Sequence, residues 1–175
     1  MTKIYTKTGD SGTTLFGIRE RVPKDDLRIE LMGEVDALIV GIGTISSHIA
    51  DEAITGQLFD IQHTLYTFCS FFAGYASASF QKDVDALEKY IDSYDSELPP
   101  LKSFVAPGGL PAASFAHQAR VQCRKVERMT VRLKKTYERS DDVIPYLNRL
   151  SDYLFTLARV INYRAQVQEK EFKFS

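Results

Sequence analysis

"LMGEVDALIVGIGTISSHI", residues 31–49, sets Leu31, Val35, Leu38, Ile42, Ile45 and Ile49 at steps of 4, 3, 4, 3 and 4. That spacing puts all six on one face of an α-helix, whereas a half-buried strand would alternate with a period of two. The following segment repeats the stripe with Ile54, Leu58, Ile61, Leu65, Phe68 and Phe72. The likeness of the two segments is shared heptad spacing, not a repeat array. Working outward, a shorter amphipathic stretch covers 83–95 and Pro99-Pro100 stops it. "FVAPGGLP" (104–111) is a loop, because two prolines and two glycines interrupt any helix. Pro111 suits a first helical turn and opens a long helix with Ala112, Phe115, Ala119, Gln122, Val126, Met129 and Leu133 inward. "ERSDDVIP" (138–145) reads as a turn, and a last helix over 143–168 turns Leu147, Leu150, Leu154, Leu157 and Ile161 inward. Several long helices with matching 3–4 spacing and short connections predict an all-α antiparallel bundle, and no period-2 pattern competes. One domain over 1–175 is expected, with a glycine-rich arm at 1–24 and the bundle at 25–170.

Composition narrows the function classes. Twenty-two basic residues nearly cancel 23 acidic ones, so no overall field would recruit nucleic acid or a membrane surface. No run of 18 apolar residues occurs, and the arm begins so close to Met1 that no leader is expected before it. Cys69 and Cys123 lie far apart within apolar patterns and read as reduced core thiols, which makes the cytoplasm the expected compartment. His48, His63 and His117 lack metal-ligand spacing. Asp60-Ile-Gln-His63 looks like half of a di-iron helix motif but has no mate, so no protein-held metal site is expected. Serine and cysteine nucleophile signatures are missing as well.

Three polar regions stand out. "YTKTGDSGTTLFG" (5–17) is rich in glycine, hydroxyls and lysine, the ingredients of a phosphate cradle, although it lacks the ending of a Walker A loop. The same composition is that of an ordinary loop or frayed terminus, and taken alone it reads more readily so. On the fourth helix Arg120, Arg124 and Arg128 stack at i, i+4 and i+8, with Glu127 beside Arg124. These could be a solvated face of weak ion pairs, or a seat for a phosphate chain that arginine forks suit. Asn148, Asp152, Phe155 and Arg159 follow a comparable line on the last helix. In "RVPKDDLRIELMGEVDALI" (21–39), Lys24-Asp25-Asp26 precede the helix as a cap, Arg28 and Glu30 read as surface charges, and Asp36 lies at the edge of the apolar stripe without an evident partner.

Three blocks together resemble a known family: "YTKTGDSGTTLFG" with "RVPKDDLRIELMGEVD"; "FVAPGG"; and "ARVQCRKVER" followed by "YLNRLSDYLFTLAR". In order and spacing the chain is similar to the PduO-type ATP:cob(I)alamin adenosyltransferases, almost from end to end. The resemblance implies a five-helix bundle assembling as a homotrimer, with ATP and cobalamin at subunit interfaces. It implies that Thr6, Lys7, Thr8, Gly9, Gly12, Thr13 and Thr14 wrap the triphosphate of Mg²⁺-bound ATP, helped by Lys24. Arg124, Glu127 and Asn148 would contact the nucleotide. Arg120 would pair across the interface with Asp36, and Phe104 would pack on the lower face of the corrin. A reductase and a B12-dependent enzyme are the further partners it suggests.

Some residues depart from the family pattern. Ala37 and Ile39 stand where a glutamate and an asparagine are common, Met32 where a tyrosine is, Ile18 where a second glycine is, and Lys125 where an arginine is. The nucleotide motifs are nearly intact, and the departures cluster on the first helix. Two function classes follow: an adenosyltransferase, or a diverged relative that binds ATP or a corrinoid as a sensor or carrier without catalysis.

Overall fold

The structure is a computed structural model, and it describes residues 3–18, 20–134 and 143–172. Five helices are present among these residues: α1 (Leu27–Ser46), α2 (Glu52–Phe72), α3 (Gln81–Asp95), α4 (Pro111–Lys134) and α5 (Val143–Arg164). Most of the turn expected at 138–145 lies outside the described residues. Consecutive helices alternate in direction. Gln122 on α4 meets Glu34 on α1 while Ala119 meets Gly41, and on α5 Leu147 faces Cys123 while Phe155 faces His117. α5 lies between α3 and α4, and α1 packs on both α4 and α2. Hydrogen bonds tie α2 to the other side, from Thr64 to Asp83 and from the hydroxyls of Tyr94 and Tyr153 to Gln57. Among the described residues, then, the helices form the bundle the apolar stripes called for.

Local chemistry sets where the helices start and stop. Asp26 caps α1 by accepting from the Arg28 amide, and Asp51 caps α2 by accepting from the amides of Ala53 and Ile54. α1 ends at Ser46, so Ile49 continues the stripe in sequence but not in the helix and is only partly buried. α5 stops at Arg164, short of 168, because Gln166 adopts φ 57° and the Val167 amide turns back to the Asn162 carbonyl. The α4 stripe also drifts. Phe115, Gln122 and Met129 are half-buried, while Ala116, Cys123 and Thr130 are buried, since α4 is gripped by α1 on one side and α5 on the other.

The arm holds one element the periodicity did not reveal. β1 (Thr13–Phe16) and β2 (Glu20–Pro23) form an antiparallel hairpin with Thr14 opposite Val22 and Leu15 opposite Arg21. Strands this short carry too few alternations to register against the helical pattern. Phe16 and Val22 are buried; Phe16 packs edge-on against Phe72, and Tyr75 donates a hydrogen bond to the Gly17 carbonyl. Arg28 is no surface charge. It lies over the Phe16 ring and pairs with both Glu20 and Asp26, so it locks the hairpin to the start of α1.

This clamp makes an acid-stability prediction. The Arg28 guanidinium and amide lower the Asp26 carboxyl from 3.8 to about 2. A depressed carboxyl stabilises the fold above its unfolded value, about 3.9, and the contribution fades as pH falls towards 2. Asp26→Asn keeps a good cap and removes the charge. Urea midpoints should therefore separate wild type from variant at pH 6 and converge as the pH approaches 2.

Candidate functional site

Two turns shape the loop of the arm before β1. Asp10 donates its amide to the Lys7 carbonyl and Gly12 donates to Gly9, with Lys7 at φ 59° and Gly12 at φ 79°. A β-branched residue would resist either conformation. The amides of Thr8, Gly9 and Ser11 have no hydrogen-bond partner among the described residues, and the loop is largely exposed. A run of outward amides in a tight loop is a seat for an anion. Lys24 reaches over this loop, its Nζ 3.2 Å from where a Cβ on Gly9 would stand. The sequence reading passed over Arg21, whose guanidinium laces the loop to the hairpin through the Thr8 carbonyl (2.6 Å) and the Thr13 hydroxyl (2.8 Å). Only its place opposite Leu15 in the hairpin register reveals that role. Thr6 and Thr8 share a hydroxyl hydrogen bond, and Thr14 sits half-buried in β1.

A second cluster lies on the α4–α5 face. Arg120 and Arg124 border a cleft of about 770 Å³ that the 98–101 segment, α3 and α5 complete. Some of the other charges there are paired, Arg149 with Glu88 and Asp152, and Arg159 with Glu169 beyond the lining, while Asp92 and Asp95 of α3 also line the cleft. Arg120 differs, because its Nε is buried and has no hydrogen-bond partner. Burial, and then the charge of Arg124, pull its guanidinium below the ordinary range; burial, and then Arg120, do the same to His117. Arg124 is exposed and makes no hydrogen bond or ion pair among the described residues. Two adjacent guanidiniums that form no ion pair among the described residues can accept an anion. One turn on, Glu127 accepts a hydrogen bond from Asn148 at 3.1 Å, joining α4 to α5.

The remaining positions lie elsewhere. Phe104 is 74% exposed on the loop before α4. Asp36 is exposed on α1 at the edge of the core, close enough to the half-buried Cys69 that its charge, after burial, raises that thiol. It makes no hydrogen bond or ion pair among the described residues; Arg120 is not its partner within one copy. No described residue of the arm lines the cleft of Arg120 and Arg124. The chain thus brings Gly9 and Lys24 together in the arm, and Arg120 and Arg124 together and Glu127 and Asn148 together on the α4–α5 face, and it leaves Asp36 and Phe104 outside the cleft that Arg120 and Arg124 border.

The structure also explains some departures from the family pattern. Ile39 is buried in the core, and its carbonyl accepts from Gln62, so an apolar side chain there serves packing. Ala37 is exposed on α1. Lys125 places its ammonium 2.6 Å from Glu34, which also accepts from Gln122 and whose carboxyl is lowered by both. Among the described residues no three His, Cys, Asp or Glu side chains gather to hold a metal ion, and no helix is long and apolar enough to cross a membrane.

Comparison with known proteins places this architecture. The family model described as cobalamin adenosyltransferase matches residues 4–161. The corrinoid adenosyltransferase of Bacillus subtilis is 40% identical, the match covering 99% of this chain and 93% of that protein. A phenylalanine-to-alanine variant of the PduO-type ATP:corrinoid adenosyltransferase from Lactobacillus reuteri, complexed with cobalamin and ATP, superposes with a TM-score of 0.92 at 33% identity, covering 98% of this chain and all of that one. An arginine-to-lysine variant of the same enzyme, complexed with ATP, gives a TM-score of 0.90 at 34% identity over 97% of this chain and 100% of its own. With its five helices, its laced arm and its unpaired arginines, this chain belongs to the cobalamin adenosyltransferase family.

Proposed function

We propose that the protein transfers the 5′-deoxyadenosyl group of ATP to the cobalt of reduced cobalamin. The observation that carries this reading is the pair Arg120 and Arg124, one buried and unpartnered at Nε and the other exposed without an ion pair among the described residues, in a chain whose solved relatives hold cobalamin and ATP. Cobalt(I) supplies the nucleophile. A cobalt–carbon bond forms at the 5′ carbon as the carbon–oxygen bond breaks, and triphosphate carries away the electron pair. The protein needs no base for this step; it must align the two reactants and stabilise charge on the leaving group.

In this reading the amides of Thr8 and Gly9, with Lys7, Lys24 and the hydroxyls of Thr6, Thr13 and Thr14, hold the triphosphate. Gly12 lets the loop close around it. Arg124 forks onto phosphate oxygens, and Glu127 and Asn148 orient the nucleotide. Magnesium would arrive bound to ATP and offset part of the triphosphate charge. Phe104 covers the lower corrin face, displaces the axial ligand and makes cobalt(II) easier to reduce.

The separation of the arm from Arg124, and of Asp36 from Arg120, supports sites completed by neighbouring copies, and we take the assembly to be the homotrimer that the family resemblance implies. Asp36 of one copy would neutralise Arg120 of the next. A reductase supplies the electron to cobalt(II), and a B12-dependent enzyme takes up the product. Two free thiols and a near-neutral charge suit the cytoplasm.

An anaerobic assay with Mg·ATP and chemically reduced cobalamin tests the reading. Appearance of the adenosylcobalamin spectrum with release of triphosphate is the expected result. ATP binding without product would instead favour the non-catalytic relative, with Ala37 as the departure to revert first because Ile39 is a core residue.

A further inference from the structure

Phe104 stands on a loop without helix, yet that loop is fastened at both ends by two buried polar residues of α5. Asn162, 4% exposed, accepts from the Leu110 amide at 3.0 Å and donates to the Gly108 carbonyl at 2.9 Å. Gly109 lies against it at φ 98°, where a Cβ would collide with the Asn162 amide, so only glycine lets the loop come this close. Arg159, 5% exposed and one turn earlier, donates to the Pro99 carbonyl at 3.0 Å and pairs with Glu169 at 3.2 Å.

Glu169 introduces a third hold. After α5 the chain reverses at Gln166 and runs back beside the loop. Val105 and Glu171 form an antiparallel bridge, the Ala106 amide donates to the Lys170 carbonyl at 2.7 Å, and the Phe172 amide donates to the Phe104 carbonyl at 2.8 Å. That register sets Phe172 directly across from Phe104, and opposed residues in such a pair point to the same side. A buried ion pair is a weak source of stability, since desolvation offsets most of its attraction. Arg159 and Glu169 make more sense as a device that fixes position.

We propose that segment 165–172 is a strap that sets where Phe104 stands, with Arg159, Asn162 and Phe172 as positioning residues for the cobalt(II) branch of the reaction. The inference rests on the reading of Phe104 as the corrin-facing ring. Misplacing that ring readmits an axial ligand to cobalt(II), whereas cobalt(I), which needs no such displacement, still reacts. ATP binding, at the arm and Arg124, is untouched.

The test compares wild type, Phe104→Ala, Asn162→Ala and a chain truncated after Glu169. Turnover is measured from cobalt(II) and from cobalt(I) cobalamin, with the electron paramagnetic resonance spectrum of cobalt(II) cobalamin bound beside Mg·ATP. Truncation should lower cobalt(II) turnover about tenfold, restore the spectrum of axially ligated cobalt(II), and change cobalt(I) turnover and the KM for ATP less than about twofold. Truncation in the Phe104→Ala background should add little further loss, because both act on one ring. If Phe104→Ala lowers the cobalt(II)-to-cobalt(I) ratio and truncation does not, the strap is wrong and the reading of Phe104 stands. If Phe104→Ala leaves that ratio unchanged, the corrin-facing reading fails first and the strap's purpose falls with it. Asn162→Ala keeps the tail intact and so checks the loop-side hold separately.

Discussion

Replacing Arg124 with alanine lowers kcat/KM for ATP about 100-fold, equivalent to ~2.7 kcal/mol of lost transition-state stabilisation. The size follows from the site. The side chain is exposed on α4, makes no hydrogen bond or ion pair among the described residues, and borders the cleft beside an arginine whose Nε is already without a partner. Nothing in the chain has to be rebuilt when it is removed, so the loss reports on the ligand rather than on folding. Arg124→Lys keeps the charge and discards the fork, and should lose about tenfold. Arg128→Ala, one turn further and facing a separate cleft with Leu27 and Glu30, is the control, with less than about a twofold change in the KM for ATP. Unchanged ATP kinetics in Arg124→Ala would move the triphosphate to the arm alone.

Phe104→Ala has the second large effect, and it is selective. Turnover from cobalt(II) should fall by about two orders of magnitude while turnover from cobalt(I) stays within about threefold. A ring that is 74% exposed contributes little to the core, so the variant should melt within about 1 °C of wild type. Parallel assays with cobalamin supplied in the two oxidation states check this directly. Equal losses in both would mean that Phe104 serves binding of the corrin and not displacement of its axial ligand.

Much of the bundle could be read from spacing, because burial on one face of a helix leaves a periodic record. Leu31, Val35, Leu38, Ile42 and Ile45 are all fully buried, as are Leu147, Leu150, Leu154 and Leu157. Where the record failed, the cause was local or long-range. Ile49 keeps the period but falls after the helix end, which the backbone bonds of Ser47 and His48 set. The hairpin strands are too short to show a period. Arg28 looked like a surface charge because its partners include Glu20, which becomes a neighbour only once the hairpin folds.

The site divides in the same way. Lys24 and the glycine loop are close in sequence, and their association was legible. Arg120 and Arg124 were legible as a helical stack, but the buried Nε was not, because it depends on what covers α4. Arg159 and Asn162 were hidden more thoroughly. Their partners lie at Pro99, Gly108, Leu110 and Glu169, on segments that no local pattern connects to α5.

The nearly all-round burial of α5 has a consequence for how the chain is made. Residues from Val143 through Asn162 are buried on most sides, so α5 serves as the axis around which α3 and α4 close. Among the five helices it is the last to leave the ribosome. Until then α1 can pack on α2 and α4, but the apolar faces that α3 and α4 turn towards α5 stay exposed to other nascent chains. Lesions in α5 should accordingly deplete soluble protein in cells more than equal volume losses in α2, and a chaperone that shields the unfinished bundle should narrow that difference.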